Sequence, residues 1–152
     1  MKILVLSDSH GQIGPMQRAV QAEQPDEIFH LGDHITDAEQ LARLFPSIPV
    51  LRVVGNCDSP SSGVPVVQCE RQGVRIFATH GHRYHVKFGY LRLKMAAREA
   101  QAQVVLFGHT HVPYCEQLSG LWMLNPGASG SYGIIKIENE TVTCELRKGG
   151  TT

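Results

Sequence analysis

Two histidines, His109 and His111, stand one residue apart directly after the apolar run VVLF. In an extended chain, side chains two positions apart point to the same side, whereas on a helix they diverge around the axis. The two side chains could therefore bind the same ligand, and imidazole is a common ligand of metal ions. A single His-x-His pair is also ordinary at the polar end of a strand, so the neighbouring segments decide its meaning.

Four further segments place polar residues where an apolar run stops. They are LSDSHG with Asp8 and His10, HLGDH with Asp33 and His34, VVGNCD with Asn56, Cys57 and Asp58, and ATHGH with His80 and His82. Each segment alone is compatible with a tight turn, but turns favour Gly, Asn, Asp, Pro and Ser and do not call for histidine. Because ligand sites in open α/β sheets lie beyond the carboxyl ends of the strands, we expect all five strand ends to surround one cleft.

The apolar runs that precede these residues predict alternating strands and helices. Strands are expected at 3–6, 28–31, 50–54 and 104–107. Helices are expected at about 15–24 and 88–101, and a short one between them ends at Phe45. Asp37 with Gln40, or Thr36 with Glu39, predicts a capping box for the second helix. In the third helix, Phe88, Leu91 and Met95 share one face and are expected to be buried.

The remaining segments are typical of antiparallel β-structure. The runs VVQC and VRIFAT flank residues 71–73 and predict a hairpin. The segments 121–124, 132–137 and 141–146 predict a β meander near the end of the chain. Alternating strands and helices followed by antiparallel strands favour an α/β fold, with two sheets packed together and helices outside.

Size and composition narrow the function classes. The chain has 152 residues, zero formal net charge and 42% hydrophobic residues, which fits one domain over residues 1–152. No apolar stretch approaches the roughly 20 residues that cross a bilayer, and the N-terminal segment lacks a cleavage-site pattern, so we expect a cytoplasmic protein without a membrane partner. The four cysteines are scattered, which favours buried small hydrophobes over disulfides or a thiolate zinc site. The balanced charge argues against nucleic acid as a partner.

The ordered motifs from Asp8 to His111 resemble those of the calcineurin-like metallophosphoesterases, in particular their small, capless bacterial and archaeal phosphodiesterase branch. As an ordered set the motifs are highly specific, and the likeness in length and element order covers essentially the whole chain. The resemblance implies a sandwich of αββα layers, a single domain without a cap, and hydrolysis of small phosphodiesters. It also suggests homo-oligomers, either dimers or tetramers.

The resemblance further implies a binuclear metal centre. One divalent ion would be held by Asp8, His10 and His111, and the other by Asn56, His80 and His109, with Asp33 bridging both. Carboxylate, imidazole and amide ligands without thiolate suit manganese, iron, nickel or zinc, and we expect manganese first among them. A hydroxide that bridges two such ions would attack phosphorus in line, while the ions stabilise charge on the phosphoryl oxygens.

One position departs from the family pattern. In many members a histidine follows the motif asparagine, but here that residue is Cys57. A thiol with an ordinary pKa of about 8.5 is a poor substitute for an imidazole, so we expect activated or diester substrates. The residues expected to act in catalysis are Asp33, Asn56, Cys57, Asp58 and His82, with His34 as a further assistant. His82 is equally suited to contact the phosphate.

A cysteine-dependent phosphatase is a competing class, since Cys69 and Arg75 have its characteristic spacing. That chemistry needs a loop that opens a helix, so that backbone N–H groups hold the phosphate and lower the thiol pKa. Here the segment bridges two predicted strands and places the negative charge of Glu70 beside the thiol. The sequence therefore disfavours this class.

A nuclease, a scaffold protein and a phosphomonoesterase of the same superfamily remain open as functions. The basic stretch from Arg83 to Arg98 contains aromatic residues and no acidic one, and a nuclease would use such residues to bind a phosphate backbone and stack on bases. The same residues also fit a helix with one face in the core and the other in solvent. A retromer subunit of this fold acts mainly as an interaction scaffold, yet it departs from the ligand pattern, whereas all seven positions here carry metal-competent side chains. The turn at Asn125 is expected to pack under the site.

Overall fold

The computed structural model describes residues 1–149, in which strands and helices alternate before the chain ends in strands. The strands are β1 (Lys2–Leu6), β2 (Glu27–His30), β3 (Val50–Arg52), β4 (Val66–Arg71), β5 (Val74–Thr79), β6 (Val104–Leu106), β7 (Tyr114–Leu118), β8 (Leu121–Asn125), β9 (Ser131–Glu138) and β10 (Thr141–Lys148). The helices are α1 (Ile13–Glu23), α2 (Ile35–Leu44) and α3 (Leu91–Glu99). Short 3-10 turns occur at Pro60–Ser62, His82–Tyr84 and Val86–Phe88.

The strands form two mixed, five-stranded sheets. The first has the order β10-β9-β1-β2-β3, in which β1, β2 and β3 are parallel and β9 runs antiparallel to β1. The second has the order β4-β5-β6-β8-β7, in which β5, β6 and β8 are parallel. The parallel strands at the centre of each sheet carry the apolar runs that predicted them.

Each sheet is covered on both faces, which explains why its central strands are apolar throughout. Between the sheets, Ile3 and Phe29 of the first pack in one core with Leu106 of the second. Because alternate residues of a strand point to opposite faces, Leu4 lies instead against α1 and α2. The outer face of the second sheet packs against Leu93 and Ala97 of α3. The predicted two-sheet sandwich with outer helices is confirmed.

The predicted hairpin is also confirmed. Strands β4 and β5 pair antiparallel, and Gln72 and Gly73 between them both have positive φ, 48° and 83°. Positive φ at both central residues is typical of the type I′ turn, whose twist matches that of the strands. Cys69 and Arg75 therefore lie in strands, as the argument against a cysteine phosphatase expected.

The predicted capping boxes of α2 are wrong. The helix begins at Ile35, and its N-cap residue His34 makes no side-chain capping hydrogen bond. The first helical N–H, that of Ile35, instead donates to Asp58 Oδ1 at 2.8 Å. Asp37 is engaged elsewhere, since its Oδ2 accepts from Ser9 Oγ at 2.8 Å and from Gly11 N at 2.7 Å. Residues distant in sequence therefore displace the local caps.

The predicted buried face of the third helix is also wrong. Phe88, Leu91 and Met95 are 91%, 69% and 58% exposed, and the buried residues of α3 are Leu93 and Ala97. The helix begins only at Leu91, after two 3-10 turns and Gly89, so the helical phase that starts at Phe88 does not continue into it. An apolar stripe expected in the core thus faces outward.

The C-terminal meander is correct only for β9 and β10, which pair in the first sheet. Strand β8 lies in the second sheet, between β6 and β7, and β7 itself was not predicted. The expectation of buried cysteines holds for Cys144, whereas Cys69 and Cys115 are partly buried and Cys57 is exposed. In residues 1–149, every helix is too short or too polar to span a bilayer.

Candidate metal centre

The loops that follow β1, β2 and β3 meet the loops that follow β5 and β6 at one edge of the sandwich. Asp8 N donates to Gly32 O at 3.1 Å, which joins two loops of the first sheet. His109 N donates to Asp8 Oδ2 at 3.1 Å, which joins the two sheets. The expectation that these strand ends surround one place agrees with these contacts.

The two aspartates of the candidate site are almost fully buried, at 0% exposure for Asp8 and 2% for Asp33. Asp8 Oδ2 accepts from Ser7 Oγ at 2.6 Å and from His109 N. Its other oxygen, Oδ1, is buried without a hydrogen-bond donor and lies 3.3 Å from His111 Nε2. A buried charged oxygen without a partner is costly, and a cation would satisfy it.

His80 presents a second electron-rich atom to the same place. Its Nδ1 lies 2.8 Å from Leu31 O and must donate to it, because a carbonyl oxygen only accepts. Nε2 then faces Asn56 Oδ1 at 3.1 Å, Asp33 Oδ2 at 3.4 Å and Asp8 Oδ1 at 3.8 Å. Without a proton or a metal ion this nitrogen would direct its lone pair at three oxygens. The pKa of His80 is raised overall, because burial, which alone would lower it, is outweighed by the carboxylates of Asp33 and Asp8.

Asp33 is held in its ionised form. Burial would raise the pKa of its carboxyl group, but hydrogen bonds from His80 and from Cys57 N, the latter at 2.9 Å, outweigh burial and lower it. The neighbouring Gly55 allows this close approach, since a Cβ atom there would collide with Asp33 Oδ1. Gly108 has the same role beside Asp8, where a Cβ atom would collide with Ser7 Oγ.

The histidines form two groups on either side of these carboxylates. In one, His10 Nε2 and His111 Nε2 are 3.4 Å apart, and the ring of His34 lies edge-on to that of His10. In the other, the ring centroids of His80 and His109 are 5.1 Å apart. Burial, together with His80 and Lys87, lowers the pKa of His109 to about 4, which keeps it in the neutral form that binds metal ions.

One set of four residues already has a ligand-like geometry. Its ligand atoms lie within 4.8 Å of one another, and its members are Asp8, His10, Asp33 and His111. The other three expected ligands border this set, since His80 contacts Asn56, Asp33 and His109. Their donor chemistry fits a divalent cation, because the unpartnered Asp8 Oδ1 and the crowded His80 Nε2 both require positive charge.

The backbone of these loops is unusual. Positive φ angles occur at Asp8, His10, Asp33, His34, His109 and His111. Side-chain-bearing residues avoid this left-handed region because Cβ approaches the carbonyl oxygen. Such residues concentrate at functional sites, where the surrounding structure imposes the conformation. Here the left-handed turns lie in the loops whose side chains converge.

Three residues expected to assist catalysis, Cys57, Asp58 and His82, differ in their hydrogen-bond partners and in their pKa shifts. Desolvation and the charge of Asp33 raise the pKa of the Cys57 thiol, so it is a poor proton donor. Both oxygens of Asp58 accept backbone N–H groups, from Ile35 at 2.8 Å and Gly55 at 2.9 Å. His82 Nδ1 is buried without a partner beside His80. Burial and the charge of His80 lower the pKa of His82. Of these three residues, His82 is best suited to contact a phosphate, because its lowered pKa leaves the ring neutral.

Sequence reasoning missed a buried chain of hydrogen bonds under the site. Gly32 N donates to His30 Nδ1 at 3.2 Å, so the ring proton is on Nε2, which lies 3.0 Å from Ser9 Oγ. Ser9 Oγ in turn donates to Asp37 Oδ2. The chain links the loop that carries Asp8 to the loop that carries Asp33. The polar residue His30 inside an apolar strand was the only signal for it.

Asn125 supports the site from the second sheet. Its Nδ2 donates to Gly108 O and to Thr110 Oγ1, both at 3.0 Å, and its Oδ1 accepts from Gly127 N at 2.9 Å. The Asn-Pro-Gly turn thus fixes the loop that carries His109, in agreement with its predicted position under the site.

The αββα layers and the cluster of buried carboxylates and imidazoles are typical of metal-dependent phosphoesterases. A family model described as the calcineurin-like phosphoesterase superfamily domain matches residues 1–146. The chain therefore belongs to the calcineurin-like phosphoesterase superfamily, as its motifs suggested.

Known relatives agree with this membership. The chain is 31% identical to the probable metallophosphoesterase YsnB of Bacillus subtilis, over 94% of this chain and 88% of that protein. It is 28% identical to the phosphodiesterase YfcE of Escherichia coli K12, over 84% and 79% of the two chains. A predicted phosphoesterase from Streptococcus pneumoniae TIGR4 shares the fold with a TM-score of 0.80 and 26% identity, over 97% and 88%. Zinc-bound Vps29 from Entamoeba histolytica has the same fold at 17% identity, with a TM-score of 0.77 over 99% and 100%.

Proposed function

We propose that this protein is a binuclear metal-dependent phosphodiesterase that acts on small phosphodiesters. The observation that carries the proposal is the buried Asp8 Oδ1, which has no donor and faces the same space as His80 Nε2 and Asp33 Oδ2. A bound cation would satisfy this arrangement, and membership of the superfamily indicates which chemistry the cation would serve. The relatives named as phosphodiesterases favour a diester substrate.

In this proposal the seven residues divide between two ions as the motifs suggested. One ion would be bound by Asp8, His10 and His111, the other by Asn56, His80 and His109, with Asp33 shared. Two divalent ions, manganese first among manganese, nickel, iron and zinc, would activate a water and stabilise charge on the phosphoryl oxygens. The two aspartates remove only two of the four positive charges, so an anionic ester is attracted.

The chain's own residues would orient the ester. His82, whose lowered pKa leaves the ring neutral, would contact a phosphoryl oxygen rather than protonate the leaving group. Cys57, whose pKa is raised, would not donate a proton at neutral pH. Substrates with a good leaving group therefore fit the site better than alkyl monoesters do. We further propose a single uncapped domain, a cytoplasmic location and a homodimer or tetramer, all of which are typical of the branch that the motifs resemble.

The test is hydrolysis of a chromogenic phosphodiester and of the matching monoester by protein stripped of metal with a chelator. We expect added manganese to restore diester cleavage and Asp33→Asn to abolish it. Asp26→Asn is the matched control, since Asp26 is an exposed carboxylate whose partner is Lys2 N. No activity with manganese, nickel, iron or zinc in folded protein would contradict the proposal and favour a scaffold.

The preference for diesters has its own test, Cys57→His. An imidazole at this position supplies the proton donor that the thiol lacks, so we expect monoester hydrolysis to rise relative to diester hydrolysis. Unchanged rates for both esters would remove the basis for assigning the preference to Cys57.

A further inference from the structure

An exposed apolar stripe runs from the 3-10 turn before α3 onto the helix and has no partner within residues 1–149. Phe88, Leu91 and Met95 are each more than half exposed, and Phe88 and Leu91 line one surface cavity of about 370 Å³. Leu91 and Met95 are one helical turn apart and therefore adjacent on the helix surface. Contiguous exposed apolar patches, unlike single exposed residues, mark interaction sites.

Positive charge flanks the stripe along the chain. The flanking cations are Arg83, Lys87, Arg92, Lys94 and Arg98, and residues 83–98 include no acidic residue. Over the part of the chain that the structure describes, Lys87, Arg92 and Lys94 form no ion pair with a carboxylate. The acidic residue of α3, Glu99, lies at its last position. Since the whole chain has zero formal net charge, this face concentrates positive charge locally.

We propose that this α3 face, comprising Phe88, Leu91, Met95 and the five cations, docks on an anionic phospholipid bilayer. A bilayer surface offers negative headgroups and, directly beneath them, an apolar layer that side chains enter. An apolar stripe bordered by Lys and Arg matches both layers. A helix that lies in the interface needs no membrane-spanning segment, and it was the lack of such a segment that led us to expect no membrane partner.

Charge also argues against a second copy of the chain as the occupant. A symmetric dimer would place the same patch of each copy against the other, so the cations of one α3 face would meet those of its partner. Like charges opposed across an interface are unfavourable. The docking proposal is independent of the proposed reaction, because it rests on the α3 face and not on the metal centre.

The test is co-sedimentation with vesicles of zwitterionic phosphatidylcholine, alone or mixed with anionic phosphatidylglycerol. We expect binding to the anionic vesicles only, weakening as salt rises, because the attraction between exposed charges is screened. The double variant Leu91→Ser/Arg92→Gln should reduce the bound fraction at least tenfold. The matched control is Leu44→Ser/Arg43→Gln, which changes an exposed leucine and its neighbouring arginine on α2.

Four results would overturn the proposal. Absence of vesicle binding, or equal binding by the two double variants, would remove the role of the α3 face. Sedimentation of the wild type as a dimer that Leu91→Ser/Arg92→Gln dissociates, without vesicle binding, would assign the face to self-association. Binding of a single-stranded oligonucleotide with the same variant dependence, but not of vesicles, would assign it to nucleic acid. Circular dichroism melting of each variant verifies that it is folded.

Discussion

Ser9→Ala tests how the loops under the metal centre are held in place. The variant removes a hydroxyl that accepts from His30 Nε2 and donates to Asp37 Oδ2. His30 is fully buried, so its N–H cannot turn to water instead. Leaving a buried donor unsatisfied costs about 1–3 kcal/mol, and losing a hydrogen bond to a charged group costs about 1.5–3 kcal/mol. Because Asp37 keeps its bond from Gly11 N, we expect a total of about 2–4 kcal/mol.

The measurement is the free energy of unfolding of metal-free protein in urea, with the thermal midpoint as a second readout. For a domain of this size the expected loss lowers the midpoint by roughly 5–15 °C. Ser61→Ala is the matched control, since it removes an exposed hydroxyl bonded only to Ser59 Oγ. We also expect weaker manganese binding, because the chain of hydrogen bonds connects the loops of Asp8 and Asp33. A loss below about 0.5 kcal/mol for Ser9→Ala, no larger than for an exposed residue, would refute this reasoning.

Three further predictions concern the same loops. Burial lowers the pKa of His30 from 6.5 to about 4, so on acidification the unfolded chain binds a proton before the folded chain does. Metal-free protein should therefore lose about 3 kcal/mol of its free energy of unfolding as pH falls from 6.5 to 4. His30→Gln should reduce this dependence of stability on pH, measured by urea titration at each pH. Gly108→Ala should lower manganese affinity in calorimetry, since its methyl group would displace Ser7 and Asp8, whereas Gly14→Ala, which meets only the end of Arg18, should leave it unchanged. Asp58→Asn should destabilise the protein by about 1–3 kcal/mol without moving the alkaline limb of the pH–rate profile, where a general acid loses its proton; a shifted alkaline limb would identify Asp58 as a proton donor instead.

The parts of the fold that the sequence predicts are those fixed by local pattern. Strands such as β1 and β6 are continuous apolar runs because both of their faces are covered, and polar residues at their ends identify the site loops. The turn at Gln72 and Gly73 is predictable because it requires specific backbone angles. The order of motifs then adds the expected ligand roles, which no local pattern gives.

Most of the failures depend on contacts between distant segments. Asp37 had the spacing of a capping box, but its carboxylate accepts hydrogen bonds from Ser9 and Gly11 and does not cap the helix. Phe88 had the helical period of a core residue, but the helix starts three residues later. Strand β7 is a largely polar edge strand, so a local apolar pattern does not reveal its pairing with β8. Periodicity does not encode which neighbour an element meets.

The position of the candidate metal centre across the two sheets has a thermodynamic consequence. Asp8 and His10 belong to the first sheet and His111 to the second, with His10 and His111 separated in sequence by 101 residues. An ion bound by these three residues would cross-link the halves of the sandwich, as a disulfide does, but reversibly. Its binding free energy would add to the stability of the whole fold, by about 2.7 kcal/mol when free metal is about 100 times the dissociation constant. The lifetime of the protein against heat and proteases would then follow the metal supply of its surroundings.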